Sequence, residues 1–148
     1  PVPDITKDEA LARLARNYFR SHTPATLQDF VWWSGLSVTE AKQGIYLIGS
    51  ELTEEQWKGQ TWYLHDSGRT RGSIKGHIRF LPPYDELLLG YKDRTDVLPS
   101  EHYSKAFTGN GLFFPVILYE GQIVGNWDRK VKRNGCTRGI LSSGRKAV

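Results

Sequence analysis

The stretch Thr26–Gly49, TLQDFVWWSGLSVTEAKQGIYLIG, constrains this chain more than any other. It holds two helix starts separated by a glycine-bearing turn. Thr26 can accept from the amides of a first helix, with Gln28 and Asp29 in its opening turn. Ser37 opens a second helix, and Glu40 three residues on completes a capping box. In such a box, hydroxyl and carboxylate each satisfy a backbone N–H that the helix leaves unpaired. Between them, Gly35 suits the left-handed backbone that ends one helix before the next begins. Two short helices joined by a three- to four-residue turn have the layout of a helix-turn-helix.

In the second helix Val38, Ala41, Ile45 and Ile48 recur at helical spacing and predict one apolar stripe. The other face shows Thr39, Lys42, Gln43 and Tyr46, residue types able to meet phosphates and base edges. The same pattern also fits a solvated helix face, and helix-turn-helix geometry also serves protein contacts.

Charge is unevenly placed. Residues 1–64 carry six Lys/Arg against eight Asp/Glu, net −2, whereas residues 65–148 carry fourteen against eight, net +6. The basic character therefore lies outside the helix-turn-helix half, although phosphate neutralisation usually drives duplex binding. The chain has a single Cys, so no internal disulfide can form, and a reducing cytoplasm fits best. No apolar run approaches the roughly 20 residues that a membrane helix needs, and no signal peptide is visible. The chain starts at Pro1 and contains no Met, which reads as a fragment of a longer protein.

Thr6-Lys7-Asp8-Glu9 forms another capping box, opening a helix that runs to about His22. Ala10, Leu11, Leu14, Ala15, Tyr18 and Phe19 predict its buried face, and Arg13, Arg16 and Arg20 read as a solvated one. Phe30, Val31, Trp32 and Trp33 load the middle helix with apolar bulk and are assigned mainly to a three-helix core. Lys58-Gly59 between two aromatic runs reads as the tip of a β-hairpin. Three helices and a hairpin make a winged helix over residues 1–66. Glu54 and Glu55 in the hairpin would repel phosphate, so it reads as a packing wing.

Composition changes abruptly at DSGRTRGSIKGH, where Gly68, Gly72 and Gly76 alternate with Arg69, Arg71 and Lys75. This is read as a basic, flexible connector over residues 67–77, either solvated or tracking a nucleic-acid backbone. Residues 78–148 are β-rich. FFPVILYEGQIVGNW predicts a hairpin turning at Glu120-Gly121. A third strand is expected over Asp128–Arg133, turning at Asn134-Gly135 into Cys136–Leu141. Ser100–Phe107 reads as one short helix, and Tyr84–Gly90 is undecided between strand and helix. The predicted fold class is α+β, a three-helix winged helix-turn-helix followed by a small antiparallel β-barrel or curled sheet.

Three segments carry a resemblance: ALARLARNYFRSHTPATLQDFVWWSGLSVTEAKQGI, LPPYDELLLGYKDR and GLFFPVILYEGQIVGNW. In this order, and over most of residues 8–133, they resemble the helix-turn-helix family of the bacterial azinomycin-resistance and interstrand-crosslink DNA glycosylases, once catalogued as a domain of unknown function. The resemblance implies tandem winged helices followed by a C-terminal β-barrel, with this chain as the last winged helix plus the barrel. It also implies that glycosylase activity belongs to a short alternating motif, Gln-apolar-Gln or Gln-apolar-Asp, in the first winged helix. Nothing here matches that motif. Gln28-Asp29 lacks the intervening residue, and Gln43, Gln56, Gln60 and Gln122 have no fitting partner two positions on. Fold and DNA association carry over; no catalytic residue does.

Searched directly, the chain offers no phosphate loop, dinucleotide fingerprint, nucleophile elbow or zinc spacing, and no cofactor is expected. Exposed or capping roles are expected for His22, His65, His77 and His102. Asp85, at the rigid turn PPYD, is the isolated candidate for a site carboxylate; the alternative is an Asx-type turn bond or an ion pair with Lys92 or Arg94. Cys136 reads as a passive strand residue. The strongest electrostatic signal is residues 129–146, where Arg129, Lys130, Lys132 and Arg133 lead a run without an acid. On a strand, Arg129 and Arg133 would share one face and Lys130 and Lys132 the other. Such a strip either solubilises a tail or tracks phosphates with steep salt dependence. The expected partners are double-stranded DNA, damaged DNA included, and the upstream domains of the same protein, with no membrane. Lys42 is the one cation on the presumed recognition helix, so backbone contact is expected rather than sequence readout. The alternative reading is an architectural module packing on those upstream domains through Trp32, Trp33 and Tyr46.

Overall fold

A computed structural model describes residues 4–68, 72–132 and 135–141, with residues 130–132 and 135–141 described by their backbone alone. It falls into two compact units, Pro1–Arg71 with Gly90–Lys92, and Gly72–Leu89 with Asp93–Val148.

The first unit is built from helix ends that the sequence marks clearly. Helix α1 spans Lys7–Ser21, α2 spans Leu27–Ser34 and α3 spans Val38–Leu47. Each begins with a complete capping box: Thr6 with Glu9, Thr26 with Asp29, and Ser37 with Glu40. Gly35 closes α2 at φ 70°, a left-handed conformation that costs a residue without Cβ nothing. Between the helices a short strand, β1 (Ala25–Thr26), lies beside a hairpin of β2 (Leu52–Trp57) and β3 (Gln60–His65). The sheet order is β1-β3-β2, all antiparallel. Lys58 and Gly59 both have positive φ, 50° and 72°, as the tight turn of a twisted hairpin requires.

Aromatic rings fill the core between these elements. Tyr18, Phe19 and Phe30 are fully buried and lie with centroids 5.1 to 5.5 Å apart, and Tyr63 from β3 meets Phe19 edge-on at 5.6 Å. Ala15, Ala41, Ile45 and Ile48 complete it. Helices α1 and α3 approach closely at Gly44, where a Cβ would stand 3.1 Å from the Leu11 carbonyl oxygen. Three assignments to this core need correction, the first being Ala10, which is exposed at the start of α1 beside the buried Leu11. Trp32 is 54% exposed, because the narrow core lies on the Phe30 side of α2. Val38 is also exposed: at about 100° per residue it sits roughly 70° from the centre of a stripe made by Ala41, Gly44, Ile45 and Ile48. Nor is Arg16 simply solvated, since its guanidinium grips Glu51 with Nη2 to Oε1 at 2.7 Å and Nε to Oε2 at 2.8 Å. That fork holds the Glu51 carboxyl below the usual carboxylate range.

The second unit contains a four-stranded antiparallel sheet in sequence order: β4 (Ile78–Leu81), β5 (Val116–Tyr119), β6 (Gln122–Lys132) and β7 (Gly135–Leu141). The β5–β6 turn falls at Glu120-Gly121, as expected. The separate strand expected from Asp128 is instead the second half of an uninterrupted β6, which pairs with β5 at one end and β7 at the other. Barrel closure needs a ladder between the first and last strands, and among the described residues β4 pairs with β5 and β7 with β6 only. The sheet is therefore open, not a closed barrel. Its core holds Leu88, Leu98, Ala106, Val116 and Ile123. Leu88 belongs to the short helix α4 (Glu86–Leu89), which settles the ambiguous Tyr84–Gly90 segment, and Ala106 to α5 (Tyr103–Ala106), preceded by a 3-10 turn at Ser100–His102.

Candidate nucleic-acid interface

Helix α3 is fixed before it presents anything. Ser37 Oγ accepts from the Glu40 amide at 3.2 Å, and Glu40 Oε2 accepts from Ser37 N and Oγ at 3.2 and 2.7 Å. Lys7 of α1 reaches Glu40 Oε1 at 2.8 Å. Lys7 and the Ser37 donors together hold the Glu40 carboxyl down at about 2. With Ala41, Gly44, Ile45 and Ile48 packed inward, the opposite arc is open. Thr39, Lys42, Gln43 and Tyr46 all lie on it and all are exposed, with Tyr46 near its centre and 80% exposed. These four predicted contacts therefore share one surface. Val38 and Leu47 flank it and are also exposed.

The hairpin tip is aromatic. Trp57 and Trp62 meet edge-on at 5.4 Å, Trp62 Nε1 donates to the Trp57 carbonyl, and Lys58 Nζ lies 4.2 Å from the centroid of the Trp57 ring. The Lys58 charge at the tip is thus held against a π-face. Glu54 and Glu55 are exposed alongside.

A buried carboxylate lies at the start of α2. Asp29 Oδ2 accepts from Thr26 N at 2.9 Å and Thr26 Oγ1 at 2.7 Å, and Oδ1 accepts from the Lys92 amide at 2.8 Å. Beside it the Tyr18 hydroxyl donates to the Gly90 carbonyl at 2.9 Å, and burial, with the Asp29 charge, pushes the Tyr91 hydroxyl up to about 12. Sequence reasoning missed this function of Asp29; the one local signal was its position three residues after Thr26.

Other predicted residues fall apart from this surface. Arg69, Arg71 and Arg133 lie outside the described residues. Lys75 is exposed in the second unit, where the following Gly76 amide donates to Glu120 Oε1 at 2.7 Å, so the end of the basic connector is pinned to the β5–β6 turn. Arg129 is exposed on β6; Lys130 and Lys132 lie on the same strand, with side chains outside the described set. Asp85 makes the Asx-type bond: its Oδ1 accepts from the Leu87 amide at 2.9 Å and its carbonyl from Leu88, starting α4. His22 caps the end of α1, but its ring is buried rather than exposed, stacked on Tyr18 at 4.6 Å with Nδ1 2.8 Å from Ser21 Oγ. His102 Nδ1 is buried with no hydrogen-bond partner among the described residues. No group of three His, Cys, Asp or Glu placed to hold a metal occurs among the described residues, and no helix there is long and apolar enough to cross a membrane.

The sequence model of the family described as DNA glycosylase AlkZ-like matches residues 1–142. The interstrand DNA cross-link repair glycosylase of Streptomyces sahachiroi is 29% identical over 128 residues, which are 82% of this chain and 34% of that protein. The chain thus spans about a third of the length of the curated relative it matches. The solved structure of Streptomyces sahachiroi DNA glycosylase AlkZ aligns with a TM-score of 0.72 at 24% identity, covering 95% of this chain and 39% of that one, a likeness of fold.

Proposed function

The chain belongs to the AlkZ-like DNA glycosylase family, and from that membership we propose that it is a DNA-binding part of a repair glycosylase. In this reading α1–α3 and the β2–β3 hairpin, over residues 1–66, act as a winged helix. Residues 67–77 link them to the β-rich part over 78–148. The α3 arc of Thr39, Lys42, Gln43 and Tyr46 faces duplex DNA. Arg69, Arg71 and Lys75, with Arg129, Lys130, Lys132 and Arg133, neutralise phosphates. Such contacts position the protein on the backbone without reading sequence. The name of the Streptomyces relative points to cross-linked duplex as the substrate of the whole protein. No catalytic residue is assigned within this chain.

The observation that carries the proposal is the exposed polar arc on α3, held against a packed inner side by Ser37, Glu40 and Lys7. Preorganised on a rigid helix, its four side chains need little ordering on contact. The test is duplex binding followed by fluorescence anisotropy across a salt series. Affinity is expected to fall steeply with salt, and alanine at Arg129, Lys130, Lys132 and Arg133 together should flatten the slope. Absence of binding at low salt, or an unchanged slope in that variant, would refute the proposal.

One observation favours a second reading, an architectural module. Trp32 and Tyr46 are largely exposed, and Val38 and Leu47 are also accessible, on a unit whose first 64 residues are net negative. Large exposed apolar side chains of this kind suit packing on another protein domain. Binding of this chain to the remaining part of its parent protein, lost on Trp32→Ala, would support it.

A further inference from the structure

The outward side of the second sheet is aromatic where an antiparallel sheet facing water is ordinarily polar. Pairing sets Ile78 opposite Tyr119, and Phe80 opposite Ile117, which in turn faces Gly125. Residues opposed in this way share a face. The other face, with Leu81, Val116, Leu118 and Ile123, packs into the unit's core. Ile78, Phe80 and Tyr119 therefore project away from that core, and they are 57%, 37% and 40% exposed. Trp127, two residues beyond Gly125, falls on the same outward side. Its Nε1 donates to the Leu81 carbonyl at 2.8 Å, so the indole reaches from β6 to β4, and it meets Phe80 nearly perpendicular at 6.0 Å. Ile117 and Gly125, on the same face, are buried. Arg129, a further two residues along β6, comes next on the same side and is exposed.

Tyr119, Phe80, Trp127 and Arg129 thus follow one another across the sheet, in steps of about 7 Å along the strand direction for each two residues. The second unit, residues 72–89 and 93–148, carries eleven cations against seven acids, and Arg129, Lys130, Lys132 and Arg138 stand on β6 and β7 of this sheet, so its charge favours a polyanion. A polyanion that also offers flat π-faces is a nucleic acid whose bases are not paired. Aromatic rings on a sheet, beside a basic side chain that follows the backbone, are the working parts of sequence-tolerant single-strand binding. We infer that this face is a stacking platform for unpaired nucleotides, with Phe80 and Tyr119 receiving bases and Arg129 a phosphate. This inference rests on the nucleic-acid reading of the chain, but it does not use α3, and it assigns a strand form that duplex contact alone does not require.

The test compares two labelled probes on the whole chain: an oligothymidylate of roughly fifteen nucleotides and a duplex of equal length. Two variants separate stacking from folding. Tyr119→Ala removes a ring that is largely outside the core. Phe80→Leu keeps apolar bulk against Trp127 but removes the π-face. Each is expected to weaken oligothymidylate binding by about fivefold or more while duplex binding stays within about twofold, with unchanged far-ultraviolet dichroism. Absence of oligothymidylate binding by the unaltered chain overturns the inference and leaves the duplex reading intact. Equal losses on both probes overturn it too, because they signify general backbone contact. So does self-association of the chain that Tyr119→Ala abolishes, since the face would then belong to a protein contact. Loss of duplex binding alone on altering α3 leaves this inference standing and bears on the preceding proposal only.

Discussion

Asp29 Oδ1 accepts the backbone N–H of Lys92 at 2.8 Å, joining the first turn of α2 to a segment 63 positions away. The other carboxylate oxygen, Oδ2, accepts from both the amide and the hydroxyl of Thr26. One buried side chain therefore serves as the reciprocal limb of a capping box and as the anchor for Gly90–Lys92, which belongs to the helical unit although the chain on either side does not.

Replacing Asp29 with Ala leaves those three donors without an acceptor in a buried place. A lost cap and unsatisfied buried N–H groups together are expected to cost about 2–4 kcal/mol. Asp29→Asn should cost less, because its carbonyl oxygen can still serve one side while its amide meets donors on the other. Urea unfolding monitored by tryptophan fluorescence checks both. Equal stability of Asp29→Ala and the parent chain would show that water replaces the carboxylate at no cost.

What could be read from the sequence is what is encoded within a few neighbouring residues. The capping hydroxyls of Thr6, Thr26 and Ser37, the glycine at 35 and the Lys58-Gly59 turn each act across three or four positions, and each stands where the local pattern placed it. The two-residue strand Ala25–Thr26 was not anticipated, because only its partner Tyr63–Trp62 makes it a strand. The fork of Arg16 on Glu51 and the bond from Lys92 to Asp29 span 35 and 63 positions, and nothing near either residue announces them. Periodicity also misplaced Val38 and Trp32, since a short helix buries a narrower stripe than its apolar content suggests. At the site, α3 was legible as four polar residues on one face. The aromatic face of β4–β6 was not, since Phe80, Tyr119 and Trp127 become neighbours only through strand pairing.

Glu40 gives a pH signature. Its folded-state value is depressed to about 2 from an ordinary 4.5, through Lys7 first and the Ser37 donors next. A depressed carboxyl stabilises the fold above its unfolded value, and that contribution is lost as pH falls from about 4.5 toward 2. Carboxyl titration followed by nuclear magnetic resonance should place the Glu40 midpoint well below the ordinary 4.5. Lys7→Ala should move that midpoint up. A Glu40 midpoint at the ordinary 4.5 would show that Lys7 and Ser37 do not hold the charge in solution.

Gly44 tests the close approach of α1 and α3. Alanine at an open helical site would gain about 1 kcal/mol over glycine. Here the new methyl would stand 3.1 Å from the Leu11 carbonyl oxygen and 3.3 Å from Ala15 Cβ, and Ala15 is fully buried. Neither neighbour is the free end of a long side chain, so the helices must separate. Overpacking of this kind costs about 1–3 kcal/mol, so Gly44→Ala is expected to be net destabilising and Gly44→Val more so. A rise in the thermal midpoint of Gly44→Ala would mean that the helix pair yields easily.

Lys42 and Tyr46 divide the work of the α3 arc between charge and shape. Lys42 is the one cation in Val38–Leu47, so any phosphate neutralised from this helix must be neutralised by it. Each neutralised phosphate contributes roughly 0.9 to the slope of log affinity against log salt. Lys42→Ala should therefore lower the slope by about 1 and weaken duplex binding alike for all sequences. Tyr46 is uncharged and 80% exposed, so Tyr46→Ala should weaken binding at every salt concentration while leaving the slope alone. Both residues are outside the core, and neither change should move the unfolding midpoint by more than about 0.5 kcal/mol. A slope unchanged by Lys42→Ala would place the neutralised phosphates elsewhere, and affinity unchanged in both variants would remove α3 from the interface, whatever the basic strands do.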